Sequence, residues 1–242
     1  MKNLLLLISL LIALHTKLLA QTDSLKVSTE IGIKGRRQTG NLNQLALNPT
    51  LKVVLYKKRF YTELQGNYQY LNVNNYKVNS DFWSSALYQY KDYKTLYPAL
   101  ITRYGFSKSY RINHSLFSGI GLGWNLRNKS MYDKIQLNAF TGYMNFEYET
   151  TDSHSSLASG FLFKLTHPIS KSLNIIMEMQ SYHSATTSTI WGVGNKISIQ
   201  YKLPKNLFLN VTHNIIYNNK TVADIKKGNT ILLFGIPYQY NK

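Results

Sequence analysis

The chain contains no cysteine. Disulfide scaffolds, Cys-ligated zinc, thiol nucleophiles and the anchor of bacterial lipoproteins are excluded together. Charged residues make up only 16% of the sequence, too few for a disordered basic tail. Acidic residues are the scarcest: 11 Asp and Glu stand against 28 Lys and Arg, a formal charge of +17. Beyond the N-terminus no apolar run approaches the ~18 residues of a transmembrane helix. No linker divides the chain, and no tract is of low complexity. What is plentiful is aromatic: 13% of the 242 residues, with 19 Tyr.

The first twenty residues have the pattern of a secretory signal. Lys2 supplies the positive start, residues 4–13 the apolar run, and Ala20 precedes Gln21 at a cleavage point. A membrane anchor is the alternative, but the run is short of the ~20 residues needed to span. Residues 1–20 are therefore expected to be removed, leaving residues 21–242 as one domain.

Period 2 dominates the remainder. Leu45, Leu47, Leu51, Val53 and Leu55 alternate with Asn48, Thr50 and Lys52, and Leu64 and Tyr68 with Glu63, Gln65, Asn67 and Gln69. Twelve such segments lie near 25–37, 42–56, 60–71, 79–91, 95–106, 114–127, 132–148, 157–167, 172–183, 189–203, 207–217 and 229–240. Turn chemistry separates them, at Thr39-Gly40-Asn41, Asn74-Asn75, Asn128-Lys129-Ser130, Pro168, Pro204-Lys205-Asn206 and Gly228-Asn229. A secreted soluble β-sandwich also alternates. Three features favour a membrane barrel. Many segments have the ~9–11 residues of a tilted membrane-spanning strand. Aromatics gather near segment ends, as expected of interfacial girdles: Tyr56, Phe60 and Tyr61; Tyr88, Tyr90, Tyr93 and Tyr97; Tyr143, Phe146 and Tyr148; Tyr238 and Tyr240. Connections near 57–59, 168–171 and 204–206 are short, whereas those near 72–78, 149–156 and 218–228 are longer, as for periplasmic turns and outer loops; the first hairpin breaks this trend. The expected fold is all-β: a transmembrane, antiparallel, up-and-down barrel of about twelve strands, with ten as the alternative.

Several motifs resemble one family in their order and spacing. Gly40-Asn41 follows the first strand; Gly119-Ile120-Gly121-Leu122-Gly123-Trp124 forms a glycine ladder, with Gly142-Tyr143 in the next strand. Tyr217-Asn218-Asn219-Lys220 leads through Lys226-Lys227 to Asn229-Thr230 and a final aromatic strand. From about Val27 to Tyr240 the chain is similar to the salt-induced outer-membrane proteins (the YdiY-like family). The resemblance implies an outer-membrane β-barrel and assigns no reaction. The sequence departs from the family at Asn229, often Asp there, and at Asn241-Lys242, which follow the last aromatic residue.

The polar face is expected to line the lumen, placing Lys52, Glu63, Arg103, Lys164, Glu178, Lys196 and Lys202 inward. Either they edge a narrow passive pore with a mild preference for small anions, or they pair and plug the barrel; about twelve strands fit both. Gly119, Gly121 and Gly123 also face inward, either widening the lumen or allowing strand curvature beneath bulky neighbours. A barrel-embedded lipid hydrolase would need a His–Ser pair; His154-Ser155-Ser156 offers one on a shared face and His114-Ser115 and His183-Ser184 are adjacent pairs, with no orienting partner in evidence. The six His are scattered without metal-ligand spacing. No catalytic, metal or cofactor residues are therefore assigned. The basic excess fits an anionic neighbour. No recognition module or basic helix suggests nucleic acid, whereas Lys220, Lys226 and Lys227 in a predicted outer loop suit the phosphates of outer-membrane lipid and lipopolysaccharide. A monomer, inserted by the barrel-assembly machinery, is expected.

Overall fold

Alternating apolar and polar residues satisfy a sheet that is greasy outside and polar within, and in lipid such a sheet must close so that no backbone group is left unpaired. The computed structural model describes residues 25–38, 44–73, 76–90, 92, 94–108, 110–130, 133–149, 153–185, 190–220 and 227–241. The expected signal segment, Gly40-Asn41, Asn74-Asn75, Tyr93 and Lys226 lie outside these.

Twelve strands follow in order: β1 Lys26–Gln38, β2 Gln44–Lys57, β3 Phe60–Val73, β4 Tyr76–Tyr90, β5 Leu96–Ser107 and β6 Ile112–Ser130, then β7 Asp133–Tyr148, β8 Ser153–Pro168, β9 Leu173–Ser184, β10 Trp191–Lys202, β11 Phe208–Asn218 and β12 Gly228–Asn241. Each pairs antiparallel with its sequence neighbours, and β1 closes on β12 from Ser28↔Asn241 to Gly35↔Phe234. The protein is a closed, twelve-stranded, up-and-down antiparallel β-barrel. One end of it carries the start of β1 and the finish of β12; below it is called the termini end.

The outward register is apolar. Ile31, Ile33, Leu51, Ile199, Leu209, Leu232, Phe234 and Ile236 are all exposed large hydrophobics, a surface that suits hydrocarbon rather than water.

The aromatic residues divide differently from expectation. Phe60, Tyr88 and Tyr90 cluster outward near the termini end, with ring centroids 5.9 and 5.3 Å apart, and Tyr238 and Tyr240 are exposed there too. Nearer the opposite end, outward pairs form between Phe82 and Phe106 and between Trp191 and Tyr217. These make two bands. Tyr61, Tyr97, Phe146 and Tyr148 do not join them: Tyr97, Phe146 and Tyr148 belong to the buried cluster and Tyr61 packs on that cluster, and Tyr56, the register partner of Tyr61, shares its inward face. The physical reason is parity. Neighbouring aromatics one residue apart point to opposite sides of a strand, so clustering in sequence does not place them on one face.

Two expectations about connections are also corrected. Only two residues separate Val73 from Tyr76, so the region near 72–78 is mostly strand. Asn128-Lys129-Ser130 is not a turn but the end of β6, which reverses after Ser130. Arg127 bonds Asp133 at 2.7 Å across that hairpin, and Asn128 donates to the Asp92 carbonyl at 3.3 Å; these contacts accompany pairing that runs through the Asn-Lys-Ser signal to Ser130. At Pro204–Asn206 the expected tight turn forms. Lys205 and Asn206 take positive φ of 58° and 60°, the hand that matches strand twist in a two-residue hairpin turn.

Candidate functional site in the barrel interior

Glu63 on β3 is the centre of the interior. Its side chain is 2% exposed, and it is held by Lys164 of β8 and by Lys52 of β2 at 3.2 Å. The Tyr61 hydroxyl donates to its second oxygen at 2.5 Å. Because β3 and β8 are far apart around the wall, the Lys164 contact runs across the barrel. Lys164 also approaches Glu178 of β9 at 4.0 Å, and Gln65 of β3 donates to Glu178 from the other side at 3.4 Å. A buried carboxylate is tolerable only when cations and donors surround it; here two ammonium groups and a phenol do so.

Toward the termini end lies a second, mostly uncharged network. Gln89 donates to Asn138 Oδ1 at 3.0 Å and Gln136 to the Tyr97 hydroxyl at 2.7 Å; Lys134 pairs with Asp92 at 2.6 Å. Asn125 donates to the carbonyls of Asp92 and Lys94. These bonds fasten the β4–β5 turn to β6 and β7. Asp92 and Asn138 were missed by the sequence reading, because Asp92 lies in a turn and Asn138 carries no charge to mark it.

Between and beyond these networks the interior is apolar. Leu87, Ile101, Phe117, Phe140, Met144, Phe146 and Leu162 belong to one buried cluster, with Trp83, Tyr182 and Ile216 packed on it. The cluster reaches from β3 to β11, so side chains from opposite walls meet in the interior.

The wall formed by β10, β11, β12, β1 and β2 is different. Lys34 of β1 crosses β12 to donate to Thr212 of β11 at 2.8 Å. It passes over Gly235, where a Cβ would lie 2.5 Å from the Lys34 Cγ. Lys52 keeps 39% of its side-chain surface although it points inward, so this wall is polar and accessible at Lys52, while Lys34, Asn48, Ser198 and Thr212 on it are buried. Lys34 was absent from the residues singled out in sequence, yet Ile31 and Ile33 alternate with Glu30, Gly32 and Lys34, and that alternation was the available signal.

The remaining candidates sit as follows. Arg103 is partly buried on the inward register of β5, and Lys202 is exposed at the end of β10. Lys196 is the register partner of Glu178, yet the two form no ion pair within 4.0 Å. Lys220 lies against His154, Nζ to Nε2 2.5 Å, and Lys227 is exposed. His154 and Ser156 are directed to different partners: the Ser156 hydroxyl bonds Ser184 at 2.8 Å.

The family model described as "Protein of unknown function, DUF481" matches residues 22–240. The chain belongs to that family. It is the family that the motif order resembles, and the DUF481 glycines have a visible role here. A Cβ on Gly121 would lie 1.8 Å from the Ala139 carbonyl oxygen, and one on Gly142 would lie 2.0 Å from that of Ser118. Only glycine lets β6 and β7 approach so closely. On Gly123 a Cβ would meet the Tyr97 ring at 2.1 Å, so bulky neighbours occupy the space above the ladder.

No curated protein matches the sequence. Among solved structures, the NanC porin aligns with a TM-score of 0.51 at 12% identity, over 90% of this chain and 100% of the porin. The translocator domain of the autotransporter NalP from Neisseria meningitidis gives 0.46 at 10%, over 94% and 92%. The KdgM porin gives 0.41 at 12%, over 89% and 99%. At such identities the likeness to NanC concerns the fold alone: this DUF481 barrel has the architecture of an outer-membrane porin barrel.

Proposed function

We propose that the protein is an integral outer-membrane barrel whose interior is closed by its own side chains, and that it serves the envelope as a structural component rather than as an open pore. The observation that carries this reading is the pair of cross-barrel contacts: the Glu63 clasp and the apolar cluster from β3 to β11. Twelve strands enclose more room than the eight of a filled barrel and less than the sixteen of a water-filled porin, so side-chain volume decides. The two outward aromatic bands and the aliphatic belt between them support a membrane position, with the termini end facing the periplasm. Insertion by the barrel-assembly machinery and a monomeric state belong to the same reading. Lys220 and Lys227 then lie at the outer end of the barrel, and together with Lys226 between them in sequence suit the phosphates of lipopolysaccharide. No catalysis is assigned.

Planar-bilayer recording tests this. The wild type should show no steady open-channel current, and Phe117→Ala with Met144→Ala should introduce one. A steady wild-type current whose reversal potential moves on charge reversal at Lys52 or Lys196 would replace the closed barrel with a narrow anion-preferring pore. The cationic wall of Lys34, Lys52 and Lys196, accessible at Lys52, is the observation that favours that second reading.

A further inference from the structure

The Lys34 side chain is 4% exposed, and an ammonium group offers three donors. One goes to Thr212 Oγ1. That oxygen is already fully used: its own proton goes to Asn210 Oδ1 at 2.5 Å, and Ser198 lies on it at 2.9 Å. Among the described residues Lys34 makes no salt bridge and no second hydrogen bond, so two of its donors have no acceptor. Lys196 lies two residues from Ser198 on the same face of β10, close enough that the two ammonium groups repel. It too makes no ion pair among the described residues. Its register partner Glu178 is turned toward Lys164 and Gln65, and Glu30, the other carboxylate on this wall, is the register partner of Lys52. Glu30 acts on Lys34 and Glu178 on Lys196 only from beyond ion-pair distance, and two neighbouring cations, one of them buried, are costly without a counter-charge in contact.

Each lysine also stands beside an asparagine with an unused acceptor. Asn48, the register partner of Lys34, is 4% exposed, and its Oδ1 has no hydrogen-bond partner among the described residues. Asn214, the register partner of Lys196, leaves its Oδ1 in the same state.

We propose that Lys34, Lys196, Asn48 and Asn214 form a binding site inside the barrel for a small oxyanion that also carries a hydroxyl group, as hydrogen phosphate and hydroxy acids do. The ammonium groups take the anionic oxygens, and the amide carbonyls accept the hydroxyl proton. The site needs small ions to reach this polar wall from the side accessible at Lys52 and needs no open passage, so it stands or falls separately from the closed-barrel reading.

The purified full chain in detergent provides the test, through the midpoint of its heat-induced gel-mobility shift. Anion binding to the folded state raises that midpoint by mass action. Sodium phosphate and sodium lactate, compared with sodium chloride at equal ionic strength, should raise it saturably. Sodium acetate, which lacks the hydroxyl, should act more weakly. Lys34→Met and Lys196→Met should each weaken the apparent affinity by about tenfold or more, the loss expected for a charge-assisted hydrogen bond. Lys205→Met, in the β10–β11 turn, should leave it unchanged. No saturable rise in the wild type, or an equal rise in both lysine variants, overturns the site. An acetate response equal to that of lactate overturns the hydroxyl assignment. If Lys34→Met does not assemble, Lys196→Met and Asn48→Leu carry the same comparison.

Discussion

The two walls of the barrel solve one problem in opposite ways. Along β5 to β8 the inward positions include Tyr97, Ile101, Phe117, Phe140, Met144 and Leu162, packed as in a soluble protein core. Along β10, β11, β12, β1 and β2 they include Lys196, Ser198, Thr212, Lys34, Asn48 and Lys52. The outer faces are alike. The wall that is polar inside exposes Ile199, Leu209, Leu232, Phe234, Ile31 and Ile33, and the wall that is apolar inside exposes Leu100, Ile120, Leu122, Leu157 and Phe161. Thr102 and Ser118, hydrogen-bonded at 3.2 Å, are a local polar pair on that second face. Lipid contact demands apolar surface outside, but nothing demands one polarity inside; packing and water access decide it locally. Glu63 stands where the walls meet, held by Lys52 from the polar side and Lys164 from the packed side.

The contrast can be broken most severely at the seam of the packed wall. Gly121→Val places side-chain atoms against the Ala139 carbonyl, 1.8 Å from where the first would stand, and should abolish the heat-shifted band of the assembled barrel. Next comes the junction. Glu63→Leu leaves Lys52 and Lys164 without their shared partner and should cost about 3–5 kcal/mol, read as a lower midpoint in urea or heat. Lys164→Met alone should cost less, because Lys52 and Tyr61 still hold Glu63. The two walls are compared directly by truncation. Met144→Ala should cost about 2–5 kcal/mol through lost burial and a residual cavity, whereas Thr50→Ala, which removes a single 3.4 Å bond to the Gly32 carbonyl, should cost under about 1 kcal/mol. Equal costs would mean that the walls do not differ energetically. The smallest expected effect lies outside both. Asn206→Gly relieves a positive φ in the β10–β11 turn and should stabilise the barrel by a few tenths of a kcal/mol, about 0.5; a loss would show that the asparagine side chain matters there.

Much of this was legible from alternation. Lys52 beside Leu51 and Val53, Glu63 beside Leu64, and Lys164 beside Leu165 each announce an inward cation or carboxylate, and all three lie in the Glu63 clasp. Glu30 and Lys34 were legible by the same rule. The aromatic clusters were not: Tyr88 and Tyr90 share the outward face, while Tyr97 and Tyr148 turn into the core, and counting aromatics near strand ends does not separate the two. The end of β6 at Ser130 was hidden because Asn128-Lys129-Ser130 has the composition of a turn, and only tertiary contacts, of Arg127 with Asp133 and of Asn128 with the Asp92 carbonyl, go with a strand that runs through it.

The sequence by itself determined that the chain forms an all-β barrel with one apolar and one polar face, because period-2 patterning is a local property of each strand and the face lost to lipid must be apolar throughout. Only the tertiary structure decided which inward groups meet. Glu63 and Lys164 are 101 positions apart, Lys34 and Thr212 178, and no local pattern encodes the curvature that brings such strands face to face across a closed wall. Whether an inward side chain ends in a clasp, in a core or in water is fixed by barrel closure and by the volumes of the residues opposite, and those are properties of the whole sheet.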